Sequence, residues 1–151
     1  MTLTFSSFEP RRLVLAEIER EMIAVGRLFA RWNGNVLEDP RLRIVIDDGR
    51  NFLATTRERF DVISADPIHP WSGGAGYLYT REFFAAVAAR LAPGGIASQW
   101  LPLYELGVRD VQTVVRTFAD AFPHVLVFAT YYDAVLVGSF EPLVIDPAAL
   151  A

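Results

Sequence analysis

Apolar runs of strand length alternate along the chain with segments whose apolar residues recur at helical spacing. Residues 12–18 (RLVLAEI), 42–46, 60–65 (FDVISA), 96–100, 125–129 and 134–138 read as strands. Between them, residues 20–32 carry Met22, Val25, Leu28 and Phe29 on one face, and residues 78–90 carry Phe83, Phe84 and Val87. Residues 108–121 do the same with Val111, Val114, Val115 and Phe118. These three segments are predicted to be helices, with a shorter helical patch over 51–56. Asn33-Gly34-Asn35 can end the first in left-handed geometry, and Thr80 can cap the second. Pro93-Gly94-Gly95 is predicted to turn the chain into a strand, and Tyr131-Tyr132-Asp133 reads as a hairpin turn. Residues 1–8 offer only a brief TLTF alternation, read as a short strand or a frayed end, and residues 140–151 read as a tail.

Strands alternating with helices predict an α/β fold: a mostly parallel, Rossmann-like sheet with helices on both faces and an antiparallel hairpin at one edge. At 151 residues the chain has the size of a single domain, and 52% hydrophobic with 21% charged residues is a globular composition. A net charge of −4 argues against a nucleic-acid binder, which would carry a basic patch. The absence of cysteine excludes disulfides, thiolate catalysis and cysteine-ligated metal. The two histidines, His69 and His124, stand at no spacing that suggests a metal site, so none is expected. No apolar run reaches the roughly 18 residues that cross a bilayer, and the N-terminus lacks the order of a signal peptide. A cytoplasmic chain with no membrane segment of its own is expected.

The chemistry gathers around residues 60–80, FDVISADPIHPWSGGAGYLYT. A near-continuous apolar run marks a buried parallel strand, and ligands in open α/β sheets sit beyond the carboxyl ends of such strands. This run stops at Asp66. Pro67, Pro70, Trp71 and the glycine-rich residues 72–76 follow, a loop able to close over a site. Glu17 and Asp48 also stand at predicted strand ends. Three carboxylates on one rim suggest a ligand with several hydroxyl or amino donors, such as a nucleoside. Each also has a local explanation: a turn or cap for Asp66, a favourable helix-start charge for Glu17, and a turn before Gly49 for Asp48.

The order AEIEREM, VIDDGRNFL, FDVISADPIHPW…LYTREFF, LAPGG and QWLPLY resembles the spermidine synthase-like proteins, polyamine aminopropyltransferases on a Rossmann-type methyltransferase scaffold. It is most similar to a bacterial branch often fused to membrane segments, and the likeness runs from about Leu13 to Ser139. It implies aminopropyl transfer from decarboxylated S-adenosylmethionine to a small amine, without metal. Glu17 would hold the nucleoside ribose, Asp48 beside Gly49 would contact the adenine amino group, and Asp66 would take the proton from the attacking amine. His69, Trp71, Tyr79 and Gln99 would be substrate contacts.

Two departures carry expectations of their own. Where the family has Asp-Pro three residues after the catalytic aspartate, this chain has His69-Pro70, which removes a carboxylate from the place where a diamine would be held. Nothing upstream of Arg12 resembles the glycine-rich loop that cradles the methionine part of the co-substrate. A parallel crossover needs about a dozen residues or more, so residues 2–6 cannot replace the first strand. The resemblance thus implies an incomplete domain, with residues 1–11 poorly assigned: the later part of a longer protein, a truncated product, or a half-site completed by a partner or a second copy. Two alternatives stand beside the transferase: an N-methyltransferase using S-adenosylmethionine, and a non-enzymatic binding or assembly module.

Overall fold

Residues 2–67 and 69–145 are described by the computed structural model, and their contacts group into two units, Met1–Thr56 and Arg57–Ala151. Residues 146–151 of the expected tail lie outside the described residues. The first unit contains α1 (Thr2–Ser7), β1 (Leu13–Glu17), α2 (Arg20–Leu28), a 3-10 turn (Val36–Glu38), β2 (Leu42–Ile46) and α3 (Gly49–Thr55). β1 and β2 pair in parallel, Leu13 opposite Leu42 through Glu17 opposite Ile46. Both strands therefore deliver acidic residues at the same end, Glu17 from one and Asp47-Asp48 from the other.

Residues 2–7 are helical, which corrects the strand or frayed end expected from their alternation. The reason is tertiary. Arg41 Nη2 donates to Asp39 Oδ2 at 2.7 Å and to the Ser6 carbonyl at 3.2 Å, and Ser6 Oγ donates to the same Asp39 oxygen at 2.6 Å. This network ties α1 to the approach of β2. Helix α2 stops at Leu28, short of residue 32, where the Asn33 side chain donates to the Gly26 carbonyl at 2.7 Å and satisfies a helix-end acceptor. Met22, Val25, Phe29 and Trp32 remain 41–71% exposed, so this apolar stripe is not covered. Val36 and Leu53 are the buried apolar residues of this unit among those described. A two-stranded sheet with so small a core is marginal in water.

The Asp39 network makes this unit acid-sensitive. The Arg41 side chain, then Ser6, hold the Asp39 carboxyl well below the ordinary carboxylate range. A depressed native-state pKa contributes stability above the unfolded value of about 3.9, and that stability is lost as pH falls through the native value. Asp39→Asn should therefore unfold at lower urea than the parent at pH 7, and the gap should narrow towards pH 2.

The second unit contains β3 (Phe60–Ala65), a 3-10 turn (Ala75–Tyr79), α4 (Arg81–Arg90), β4 (Leu91–Pro102), α5 (Val108–Ala119), β5 (His124–Ala129) and β6 (Asp133–Ser139). Its sheet order is β3-β4-β6-β5. The β3–β4 pair is parallel and joined through α4, while β6 pairs antiparallel with both β4 and β5. The α/β class with an antiparallel edge hairpin is as expected. The main differences lie at three places. The helix expected from residue 78 begins at Arg81, because residues 75–79 form the 3-10 turn; Thr80 is its cap, Oγ1 accepting from Phe83 N at 3.3 Å. The helix expected to reach 121 ends at Ala119. The expected turn at Pro93-Gly94-Gly95 lies inside β4, where pairing jumps from Phe60–Leu91 to Val62–Ile96, so the turn residues bulge without ending the strand.

The core of this unit forms where α4 and α5 meet the sheet. Phe84, Phe118, Leu101 and Leu136 are at most 1% exposed. The Phe118 ring lies 5.1 Å from Phe84, nearly perpendicular to it, and 4.8 Å from Phe122. Gly138 on β6 faces this cluster, and a Cβ there would lie 2.6 Å from the Phe122 ring and 2.8 Å from Phe118. The strand can approach the rings this closely only as glycine.

Candidate active site

Strand β3 carries the chain to Asp66. Ala65 lies opposite Gln99 of β4, so β3 leaves the sheet beside Gln99 and Trp100. The Asp66 side chain is exposed and makes no hydrogen bond or ion pair with the described residues. Its surroundings are built by the following loop. Ser72 N donates to the His69 carbonyl at 2.9 Å, and Ala75 N to the Ser72 carbonyl at 3.0 Å, which winds residues 69–75 into successive turns. Gly76 is needed there for close approach, since a Cβ would sit 2.9 Å from the Pro70 carbonyl oxygen.

These turns present a set of rings. His69 stacks on Trp71 with centroids 4.7 Å apart and planes 8° from parallel. Tyr104, just beyond β4, stands nearly perpendicular to both, and its hydroxyl lies 3.2 Å from His69 Nδ1. Trp100 approaches His69 at 6.0 Å. His69, Trp71, Tyr79 and Gln99, all expected as substrate contacts, thus belong to the same unit as Asp66. Trp100 and Tyr104 were not anticipated, although both lie in the QWLPLY segment.

Tyr79 is the most informative of these residues. It is 6% exposed, its hydroxyl has no hydrogen-bond partner among the described residues, and burial pushes the phenol above its ordinary range. Gln99 lies close enough to ease the charged form slightly, yet the pair does not reach hydrogen-bond geometry, and Gln99 Nε2 donates instead to the Trp100 carbonyl at 3.1 Å. The charges of Asp66 and Tyr104 add to the upward push. A buried hydroxyl without a partner costs free energy unless something else supplies one.

The first unit holds the other expected residues. Glu17 Oε1 accepts from Glu19 N at 2.9 Å, leaving its second oxygen without a described partner. Asp48 caps α3, accepting from Arg50 N at 2.8 Å, while Arg50 Nη2 meets its other oxygen at 2.9 Å. The Arg50 side chain is the main cause that lowers the Asp48 pKa. A carboxylate has about four acceptor positions, so capping does not exhaust Asp48. Gly49 opens α3 with open space where a side chain would be.

Elsewhere in the second unit, a groove of about 510 Å³ between α4 and α5 is lined by Arg81, Ala85, Ala88, Asp120 and Ala121. Its polar content is one exposed ion pair, Arg81–Asp120 at 3.6 Å, with none of the residues around Asp66. No three His, Asp or Glu side chains converge as metal ligands among the described residues. Among the described residues no helix is long and apolar enough to cross a membrane.

Comparison with known proteins agrees with this architecture. Residues 4–141 match the spermine/spermidine synthase domain. A polyamine aminopropyltransferase of Nitrosomonas europaea is 36% identical over 123 residues, 74% of this chain and 38% of the relative. A probable spermidine synthase from Corynebacterium glutamicum superposes with a TM-score of 0.75 at 25% identity, over 95% of this chain and 53% of that one. Human methyltransferase-like protein 13, in complex with SAH, shares the fold at 22% identity with a TM-score of 0.74, over 98% of this chain and 70% of that one. The chain spans less than half the length of the curated aminopropyltransferases it matches. Motif order, strand topology and a family match over most of the sequence agree, and the chain belongs to the spermine/spermidine synthase domain family.

Proposed function

We propose that this chain takes part in aminopropyl transfer from decarboxylated S-adenosylmethionine to an amine, with Asp66 as the base. The observation that carries this reading is a carboxylate at the carboxyl end of β3 that no described residue engages, in the same unit as a buried Tyr79 hydroxyl without a partner among the described residues. An amine offers what both lack: positive charge or N–H donors for Asp66, and a polar group for Tyr79.

In the reaction the amine nitrogen attacks the aminopropyl carbon bound to the sulfonium. The C–N bond forms as the C–S bond breaks, and the pair of electrons goes to sulfur, leaving neutral 5′-methylthioadenosine. The amine proton passes to the Asp66 carboxylate. The sulfonium leaves without acid or metal assistance, so the protein's tasks are alignment and proton removal. Alignment can supply several kcal/mol, and a positioned base about 10²- to 10⁴-fold. We assign Glu17 to the nucleoside ribose and Asp48, with Gly49, to the adenine, a reading that the family likeness supports.

Calorimetric titration with 5′-methylthioadenosine tests the nucleoside assignment. Saturable binding lost in Glu17→Ala and Asp48→Ala is expected. Asp48→Ala also removes a helix cap worth about 1 kcal/mol, so its folding must be checked in parallel. Transfer is tested by supplying decarboxylated S-adenosylmethionine with an amine and assaying the extended product. Turnover only with the carboxylated co-substrate would assign methyl transfer instead. Tyr79→Phe separates a ligand role from a packing role. Removing a partnerless buried hydroxyl should leave the melting temperature unchanged or raise it, by up to about 1 kcal/mol of stability, while weakening amine binding. An equal loss of stability and binding would make Tyr79 a structural residue.

A further inference from the structure

Helix α2 turns its bulkier apolar side away from its own unit. Starting just before the helix, Ile18, Met22, Val25, Phe29 and Trp32 recur at alternating intervals of four and three residues, the spacing of a seam between two helices. Asn33 N donates to the Phe29 carbonyl at 2.9 Å, so helical winding continues past Leu28 and carries the seam to Trp32. With Leu28 beside them, these side chains are 41–78% exposed. The side that meets the unit is made of Ile23, Gly26 and Ala30, all half-buried. Gly26 is pressed so close to Leu37 that a Cβ would lie 2.8 Å from its Cδ1. The unit thus packs on the small side of the helix and leaves the large side to solvent.

Six apolar side chains exposed to this degree amount to roughly 600 Å², the upper limit of the patch a monomer usually shows. Two such patches laid together bury about 1,200 Å², the size at which specific interfaces begin. The charges permit a second copy running in the opposite direction. Arg20 and Arg27, a heptad apart, fall on the far side of α2, and Arg27 Nε is held by Glu38 at 3.1 Å. Glu19 and Glu21 flank the stripe at its N-terminal end. A parallel pair would crowd these four carboxylates together. An antiparallel pair sets them at opposite ends and lays each helix N-terminus beside the C-terminus of the other. Val25, the smallest side chain of the seam, is its middle member, where two crossing helices must come closest.

We propose that α2 pairs antiparallel with α2 of a second copy of this chain, across a two-fold axis near Val25, and so makes a homodimer through the first unit. The inference does not depend on the reading of Asp66. It also gives the small first unit a larger shared core, formed by Met22, Val25, Phe29 and Trp32 of both copies.

The test is sedimentation velocity of the full chain over a concentration series reaching about 100 µM, since an interface of this size holds in the micromolar range. A reversible monomer–dimer equilibrium is expected. Phe29→Asp buries a charge in the seam and should raise the dissociation constant by about tenfold or more. Val108→Asp, at a 73% exposed apolar position of α5, should leave it unchanged. A parent protein that stays monomeric throughout overturns the proposal and leaves the stripe to a different polypeptide. A folded Phe29→Asp protein with an unchanged constant overturns it too, as does an equal loss in Val108→Asp. Because the chain has no cysteine, Val25→Cys supplies a single thiol. Placed near the axis, it should oxidise to a covalent dimer at least about tenfold faster than Val108→Cys, through its raised effective concentration. Equal rates for the two thiols overturn the proposal, and this comparison stands even where Phe29→Asp does not fold.

Discussion

Asparagine at position 66 is expected to lower aminopropyl transfer by about 10²- to 10⁴-fold, the contribution of a positioned general base. The substitution keeps the shape of the side chain and removes its capacity to take a proton. Because Asp66 is exposed and unengaged by the described residues, little folding free energy depends on it, and the melting temperature should stay within the small range of a surface change. Binding of 5′-methylthioadenosine should be unaffected, since the nucleoside contacts are assigned to other residues. The amine should bind more weakly, having lost a counter-charge, so saturating amine must be used to isolate the chemical step. Undiminished turnover under those conditions would move the base to another group; His69 would be the first to examine.

The second large effect is on stability. Phe118→Ala should destabilise the second unit by about 3–5 kcal/mol, the cost of emptying a large aromatic position in a packed core. Phe118 is 1% exposed and touches rings on both sides, Phe84 and Phe122. It also lies against Gly138, where the backbone of β6 comes so close that collapse around the cavity is limited. Chemical denaturation followed by near-ultraviolet dichroism would report the loss directly. A cost below about 1 kcal/mol would mean that the helix and sheet close over the gap, contrary to the rigid approach described.

Much of this was legible in the chain, for reasons that can be named. β2 and β3 appear at their observed boundaries because parallel strands are short, nearly unbroken apolar runs, although no residue of either is fully buried. Asp66 stood out because such a run ended on a carboxylate. Thr80 was recognisable as a cap because a hydroxyl three residues before a helical amide is a local device. What escaped was non-local. Ser6, Asp39 and Arg41 impose a helix on residues whose alternation suggested a strand, and their partners lie more than thirty positions apart. Trp100 and Tyr104 gain their meaning only from His69 and Trp71, which reach them through the fold. Neither residue carries a periodic signal of that role. The same holds for the partnerless hydroxyl of Tyr79, which becomes visible only when every neighbour is placed.

The position of each strand in its sheet sets how fast its amides exchange with solvent deuterium. β4 and β6 are bonded on both sides within their sheet, whereas β5 is bonded on one. Amides of β4 and β6 should therefore label last, at a rate governed by unfolding of their unit, and those of β5 earlier through local fraying. A ligand held at the end of the strand that delivers Asp66 should slow labelling there. Deuterium uptake along residues 60–66 then becomes a gauge of site occupancy that needs neither turnover nor a labelled substrate.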